Sequence, residues 1–237
     1  MKVIIPAAGL GKRFAAEGVT SPKELLPLGG KPLIAHALAE AARAGFECAI
    51  VVVSPAKQQL RDFLMGNALP VPVEIVIQPH AAGIGDAVLR SWPDEPVGVL
   101  LPDDVVRETH HWRDLIALHR QEGAATFCVR PVPIETTGRF GIADCDGDRV
   151  LRLVEKPPAG ASTSNLAVFG RYVVTEAIVA GLRAWQGGDG EAELTYGFVA
   201  ALQTPPGVRA VRFEGEIYDC GTPADYAVSI SLFRSHR

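Results

Sequence analysis

No two cysteines in this 237-residue chain stand at C-x-x-C spacing; Cys48, Cys128, Cys145 and Cys220 are scattered. That pattern reads as reduced, buried thiols in a cytosolic protein rather than a disulfide framework. A basic excess is missing too: 23 Lys and Arg against 27 Asp and Glu give a net charge of −4. This argues against a sequence-independent nucleic-acid binder, which carries a basic face, but leaves room for a local basic pocket for a phosphorylated small molecule. No apolar run approaches the length of a membrane span. The apolar opening, Met1 to Ala8, soon reaches Lys12-Arg13 and lacks a charged segment followed by a long apolar core. It reads as a first strand and not a signal peptide, so the expected location is cytoplasmic, with no membrane partner. Internal repeats and low-complexity tails are also lacking.

What is present is an ordinary globular composition, 48% hydrophobic and 21% charged. The length fits one domain over 1–237 and can bury a full core without staples. Short apolar runs alternate with helical patterns, the mark of a mainly parallel sheet covered by helices. Strands are expected over Lys2–Ala7, Ala49–Val53, Val73–Ile77 and Val97–Leu101. Helices are expected over Pro32–Ala44, Ala56–Met65 and from Gly85 to Ser91. The second half changes character, with shorter strands (Phe127–Val132, Gly141–Asp144, Val150–Val154, Ala167–Phe169) that suggest antiparallel or mixed additions. Helical patterns follow over Thr175–Arg183 and Leu194–Leu202, separated by the mobile-looking run Gly187-Gly188-Asp189-Gly190. Late strands run over Val208–Phe213 and up to Tyr218. Ligands of open α/β sheets sit beyond the carboxyl ends of strands, which draws attention to the loop after strand one and to Pro102-Asp103-Asp104.

The first loop, Ala7-Ala8-Gly9-Leu10-Gly11-Lys12-Arg13, has small residues that let backbone N–H groups approach a phosphate or base. It fails as a dinucleotide fingerprint because Phe14 occupies the third glycine position. It fails as a P-loop because Arg13, not Ser or Thr, follows Gly11-Lys12. Alone, it is equally a tight turn. Farther on, Lys23 stands between Pro22 and Pro27, which stiffen its segment. Two cations on a rigid loop and a glycine loop, Lys23 and Arg13, could clamp a polyphosphate from two sides.

Together these pieces resemble the sugar-1-phosphate nucleotidyltransferases, most nearly the bacterial-type UTP–glucose-1-phosphate uridylyltransferases. The pattern G-x-G-x-R is matched by Gly9 to Arg13, and P-K-x-x-x-P by Pro22 to Pro27. Lys31-Pro32-Leu33-Ile34, Gly83 to Val88, Leu101 to Asp104 and Val154-Glu155-Lys156-Pro157 follow in order. Ser164 to Tyr172, Glu193-Leu194-Thr195 and Tyr218-Asp219-Cys220-Gly221 complete a series from residue 2 to about 225. The resemblance implies a single-domain, Rossmann-like, three-layer α/β/α fold with a mainly parallel mixed sheet. Its nucleotide-binding part would span about 1–105 and its sugar-binding part about 106–230.

The implied activity joins an NTP to a sugar 1-phosphate with release of pyrophosphate, foremost UTP and glucose 1-phosphate giving UDP-glucose. The same reaction with another base or sugar (dTDP-, CDP- or GDP-sugar) stays open, as does a nucleotide-sugar-binding regulatory module without catalysis. By the resemblance, Ala8, Gly9 and Gly11 line the nucleotide, and Gln78 and Gly83 read the base. Arg13 and Lys23 hold the triphosphate, and Asp103 and Asp219 ligate Mg²⁺. Glu155 bonds sugar hydroxyls, Lys156 contacts the sugar phosphate, and Gly141 packs near the sugar. Departures from the subfamily are Lys12 in place of Thr, Asp86 in place of His, and a short stretch between Ser54 and Gln78. That stretch lacks a segment often used in subunit contacts, so a homo-oligomer is allowed rather than implied.

The chemistry asks for these residue types. A phosphate monoester has its second pKa near 6, so the attacking oxygen is already ionised at neutral pH and no general base is needed. The obstacle is repulsion between two polyanions, which positioning and charge neutralisation must overcome. Two carboxylates sharing Mg²⁺, with Arg13, Lys23 and Lys156, meet that demand. Asp103 as a helix N-cap and Asp219 as a turn residue are the plainer alternatives.

Other candidates carry less. Asp144 to Asp148 with Glu155 imitate a calcium loop, but Arg149 replaces the required glycine and a hairpin explains the run better. His110, His111 and His119 flank the helix-like Trp112–Leu118 without a zinc pattern and read as solvated or capping. Cys220 has no base placed near it.

Overall fold

In a computed structural model, residues 1–158, 161–185 and 191–235 are described. The glycine run at 187–190 lies outside them. Along the chain the elements are β1 (Val3–Ala7), α1 (Lys12–Ala16), β2 (Pro27–Leu28), β3 (Lys31–Pro32), α2 (Leu33–Arg43), β4 (Ala49–Val53), α3 (Gln58–Gly66), β5 (Val73–Ile77), α4 (Gly83–Ser91), β6 (Val97–Leu100) and β7 (Asp104–Val106). They continue with α5 (His110–Glu122), β8 (Ala125–Pro131), β9 (Gly141–Asp146), β10 (Arg149–Glu155), β11 (Leu166–Val174), α6 (Glu176–Ala184), α7 (Leu194–Ala201), β12 (Val208–Arg212), β13 (Ile217–Asp219) and α8 (Pro223–Ser235). The chain forms two compact units, one of Met1–Ala81, Leu100–Thr109 and Gly215–Arg237, the other of Ala82–Val99 and His110–Glu214.

In the first unit β1 pairs in parallel with β4, and β4 with β5, in a register that sets Val3 beside Ala49 and Ala49 beside Val73. Strands covered on both faces need apolar residues at every position, and every residue of β4, Ala-Ile-Val-Val-Val, is buried. α2 buries Leu33, Ile34, Ala37, Leu38 and Ala41, spaced for one helical face, and Leu33 packs with Leu28, Val105 and Tyr218. Pro32 occupies its N-cap, where a missing N–H costs nothing. Each fully buried Leu or Ile contributes roughly 1.5–3 kcal/mol.

The expected late strand up to Tyr218 is present as β13, but its partner β7 and the helix after it were not evident from the sequence. β7 and β13 form an antiparallel ribbon that pairs Tyr218 with Val105 and Asp219 with Asp104. No helix follows Asp103, so it is not an N-cap. The unforeseen α8 packs on the ribbon: Phe233 meets Tyr218 edge-on at 4.9 Å, and the Arg107 guanidinium lies 4.7 Å from the Phe233 ring centre. Phe233 also reaches the β2–β3 turn. Gly29 there has φ +58°, and a Cβ on it would lie 2.3 Å from the Phe233 ring.

In the second unit the strand order is β6, β11, β8, β12, β10, β9. β12 runs parallel to β8, whereas β11 with β8, β10 with β12, and β9 with β10 are antiparallel. The mixed sheet expected of the second half is thus present. β11 runs on well past Phe169, where its expected strand stopped. A register shift between Phe169 and Tyr172 lets it continue through Gly170-Arg171. The β9–β10 hairpin turns at Gly147-Asp148, with Asp146 paired to Arg149. His119 bonds the Ala124 carbonyl at 2.8 Å beyond the end of α5, a capping role. His111 is neither solvated nor capping: it is buried among Trp112, Phe169 and Phe213. Among the described residues no helix is long and apolar enough to cross a membrane.

Replacing Gly29 with Ala puts a methyl group into the Phe233 ring at a left-handed backbone position. The expected cost is about 1–3 kcal/mol in urea unfolding. Gly29→Ala combined with Phe233→Ala should cost less than the sum of the single changes; simple additivity would contradict the contact.

Candidate active site

The first unit gathers one set of polar groups. Ala8 is buried, and the space a Cβ would take at Gly9 and Gly11 is open. Gly11, at φ +61°, caps the single turn of α1, which carries Arg13 exposed to solvent. Pro22 leads into a 3-10 turn over Lys23–Leu25. The turn aims Lys23 at Asp103, with Nζ donating to Oδ2 at 2.6 Å. Burial pulls the Lys23 pKa down, but Asp103, then Glu24, with Asp104 adding to them, outweigh it and hold it above the usual lysine value.

Asp103 and Asp219 are 116 positions apart by residue number and are brought together by the β7–β13 ribbon. The Cys220 N–H donates to the Asp103 carbonyl at 2.7 Å, continuing the ladder. Gly221 records how the two carboxylates face. A Cβ at that position would lie 3.2 Å from Asp219 Oδ1 and 3.6 Å from Asp103 Oδ2. Both carboxylates therefore border one small space that a side chain at 221 would fill. Two hard oxygen donors bordering such a space suit Mg²⁺, which keeps its other positions for water or phosphate oxygens. Asp219 also plays the plainer part, its Oδ1 accepting the Gly221 N–H at 2.8 Å, while Ser229 of α8 donates to its carbonyl. Cys220 is fully buried with its pKa pushed up to about 12 by burial, so it is not a nucleophile. Gln78 is buried at the end of β5.

Two residues of this unit were missed. Lys57, just ahead of α3, is buried and donates to Glu24 Oε2 at 2.7 Å and to the Ala7 carbonyl at 2.8 Å. Burial lowers its pKa, with Glu24 acting in the opposite direction. The glutamate was visible in Pro22-Lys23-Glu24, but no local spacing links it to position 57.

The second unit holds the other set. The β9–β10 register places Gly141 opposite Glu155. A Cβ at 141 would sit 3.2 Å from Glu155 Oε2, so the carboxylate lies over the glycine. Thr195 donates to the same oxygen at 2.6 Å. Lys156 turns away from the strand at φ +42°, an unusual conformation for a residue with a Cβ that costs roughly 1–3 kcal/mol. Its N–H bonds the Phe140 carbonyl, and its Nζ pairs with Glu155 at 3.1 Å and Glu193 at 3.2 Å. Burial lowers the Lys156 pKa, but the two glutamates outweigh it and raise the net value. Gly83, at φ +92° opening α4, packs against Ala192, whose carbonyl would lie 2.6 Å from any Cβ there. In the sequence Thr195 and Glu193 stand out only as part of a motif; their contacts with Glu155 and Lys156 are tertiary and leave no trace in local sequence.

Compared with known proteins, the chain matches the family described as Nucleotidyl transferase over residues 2–233. It is 37% identical to a UTP–glucose-1-phosphate uridylyltransferase of Bacillus subtilis (strain 168), covering 93% of this chain and 86% of that one. A crystal structure of UDP-glucose pyrophosphorylase complexed with UDP-glucose superposes with a TM-score of 0.87 at 28% identity, covering 100% of this chain and 99% of that one. A UTP-bound UGPase from Acinetobacter baumannii superposes at 0.85 and 28% identity, covering 100% and 94%. The chain belongs to the nucleotidyl transferase family and has its α/β fold with a mixed sheet.

The raised Lys23 pKa gives its pair with Asp103 a defined pH signature. The pair's contribution is fully present below the unfolded value of 10.5 and is lost as pH rises through the higher folded value. The difference in unfolding free energy between the wild-type chain and Lys23→Met should stay flat from about pH 7 to 10 and shrink above. A decline already complete by about pH 9 would contradict the pairing.

Proposed function

We propose that this chain joins UTP to glucose 1-phosphate, releasing pyrophosphate and making UDP-glucose. The observation that carries this reading is the approach of the Asp103 and Asp219 carboxylates to one space, with Lys23 on Asp103. The uridylyltransferase and UDP-glucose pyrophosphorylase names of its relatives supply base and sugar.

In this reading the first unit takes the triphosphate. Ala8, Gly9 and Gly11 offer backbone to the nucleotide, Gln78 reads the base, and Arg13 with Lys23 neutralises the departing pyrophosphate. Mg²⁺ held by Asp103 and Asp219 would supply positive charge that offsets the repulsion between the reacting phosphates. Around the sugar, Glu155 accepts hydroxyl hydrogen bonds over the bare face of Gly141, while Thr195 fixes its orientation. Lys156 leaves Glu155 and Glu193 for the incoming phosphate. The attacking oxygen is already ionised, so no side chain moves a proton. Arrangement and electrostatics then account for the rate. The partners are small molecules rather than nucleic acid or membrane, and the free thiols fit a cytoplasmic setting.

The test pairs each of several nucleoside triphosphates with each of several sugar 1-phosphates and scores products by mass. UTP with glucose 1-phosphate should give UDP-glucose and pyrophosphate faster than any other pair; a different preferred pair would reassign base or sugar, and no product from any pair would leave a binding module. Asp103→Asn should keep the fold and lower Mg²⁺-dependent turnover by about 10²–10³-fold. Glu155→Ala should chiefly raise KM for glucose 1-phosphate, and an effect confined to UTP would overturn its assignment to the sugar.

A further inference from the structure

We infer that Lys57, through its buried pair with Glu24, is a positioning residue for nucleotidyl transfer that sets both the first loop and Lys23; the inference rests on the functional reading above. Lys57 touches neither Asp103 nor the open space beside Gly221 among its hydrogen bonds. Its ammonium instead joins three separate segments of the first unit. One is its own turn after β4, held by the Lys57 N–H on the Ser54 carbonyl at 3.0 Å and by Arg61 on the Ser54 and Pro55 carbonyls at 2.9 and 2.8 Å. Another is the end of β1, through the carbonyl of Ala7, directly before Ala8-Gly9-Leu10-Gly11. The last is the 3-10 turn of Lys23, through Glu24 Oε2.

Stability alone is a poor reason for this pair. Glu24 is 1% exposed and the Lys57 side chain 9%, so both charges are taken from water. Glu24 Oε1 is buried with no hydrogen-bond partner among the described residues, so the carboxylate is satisfied on one oxygen only. An apolar pair of similar volume is often as stable as a buried ion pair, or more so. What an apolar pair lacks is direction. Lys23 and Glu24 are neighbours in a single short turn, one bonded to Asp103 and the other to Lys57. Fixing Glu24 fixes the rotation of the turn and therefore the line along which Lys23 leaves it. The same ammonium pins the last carbonyl of β1, so loop and lysine share one anchor.

The test uses the full chain carrying Lys57→Met and Glu24→Leu together, which removes both charges and strands neither partner. Thermal unfolding confirms the fold, a crystal structure locates Lys23, and steady-state kinetics measure turnover of UTP with glucose 1-phosphate. The double variant should fold with Lys23 Nζ outside hydrogen-bond distance of Asp103. Its kcat should fall by about 10²-fold, the loss typical of small misplacements. KM for glucose 1-phosphate should change less than about threefold, with kcat referred to the folded fraction from thermal unfolding, because unfolding alone also lowers apparent kcat at constant KM. Lys23 still bonded to Asp103, or kcat within about threefold of wild type, overturns the inference. A wild-type chain that makes no nucleotide sugar would sink the functional reading alone, and the position of Lys23 in the variant would then decide this inference. If the double variant does not fold, Glu24→Ala, which leaves Lys57 no acceptor at that position, takes its place, judged by the same displacement of Lys23 and the same kcat loss.

Discussion

Two phosphate-bearing substrates repel one another, and any protein that joins them must hold positive charge and its ligands rigidly where they meet. In the function proposed for this chain, that requirement falls on the space bordered by Asp103 and Asp219. Asp103 stands directly before β7 and Asp219 ends β13, far apart in sequence, and a three-residue ribbon pairs Asp104 with Asp219 to bring the carboxylates side by side. α8 secures the ribbon through Phe233 on Tyr218 and Ser229 on the Asp219 carbonyl. Gly221 leaves the space open. The last helix, with no part in the proposed chemistry, is therefore what keeps one of the two carboxylates in place.

Most of the assigned cations already sit against carboxylates. Lys23 rests on Asp103, Lys156 on Glu155 and Glu193, and the buried Lys57 on Glu24. Such pairing holds long, flexible side chains near their working positions and limits the ordering left to be done when substrate arrives. Under the proposed function, incoming phosphates would compete with these carboxylates for Lys23 and Lys156. The strained backbone of Lys156 belongs to the same pattern, since a left-handed residue at the end of β10 turns the ammonium out of the strand.

Much of this was legible in the sequence. Continuous apolar runs marked β1 and β4, Pro32 marked the start of α2, and Pro102-Asp103 marked the carboxyl end of β6. The series of short motifs pointed to the family. Other features were hidden for physical reasons. β7 is too short to show a period, so the pairing of the expected late strand with it was hidden, and α8 presents mixed faces because it packs on a ribbon rather than a broad sheet. β11 was cut short because Gly170-Arg171 interrupts its pattern where the bulge lies. The pairs of Lys57 with Glu24 and of Thr195 with Glu155 link residues more than thirty positions apart, and no local spacing encodes them.

The central claim is that Asp103 and Asp219 share one divalent ion. Crystals of the wild-type chain soaked with UTP and Mn²⁺, a stand-in for Mg²⁺ that scatters anomalously, test it most directly. A single anomalous peak within bonding distance of carboxylate oxygens from both residues is the predicted result. A peak bound elsewhere, or carboxylates turned from each other with the triphosphate in place, would contradict it.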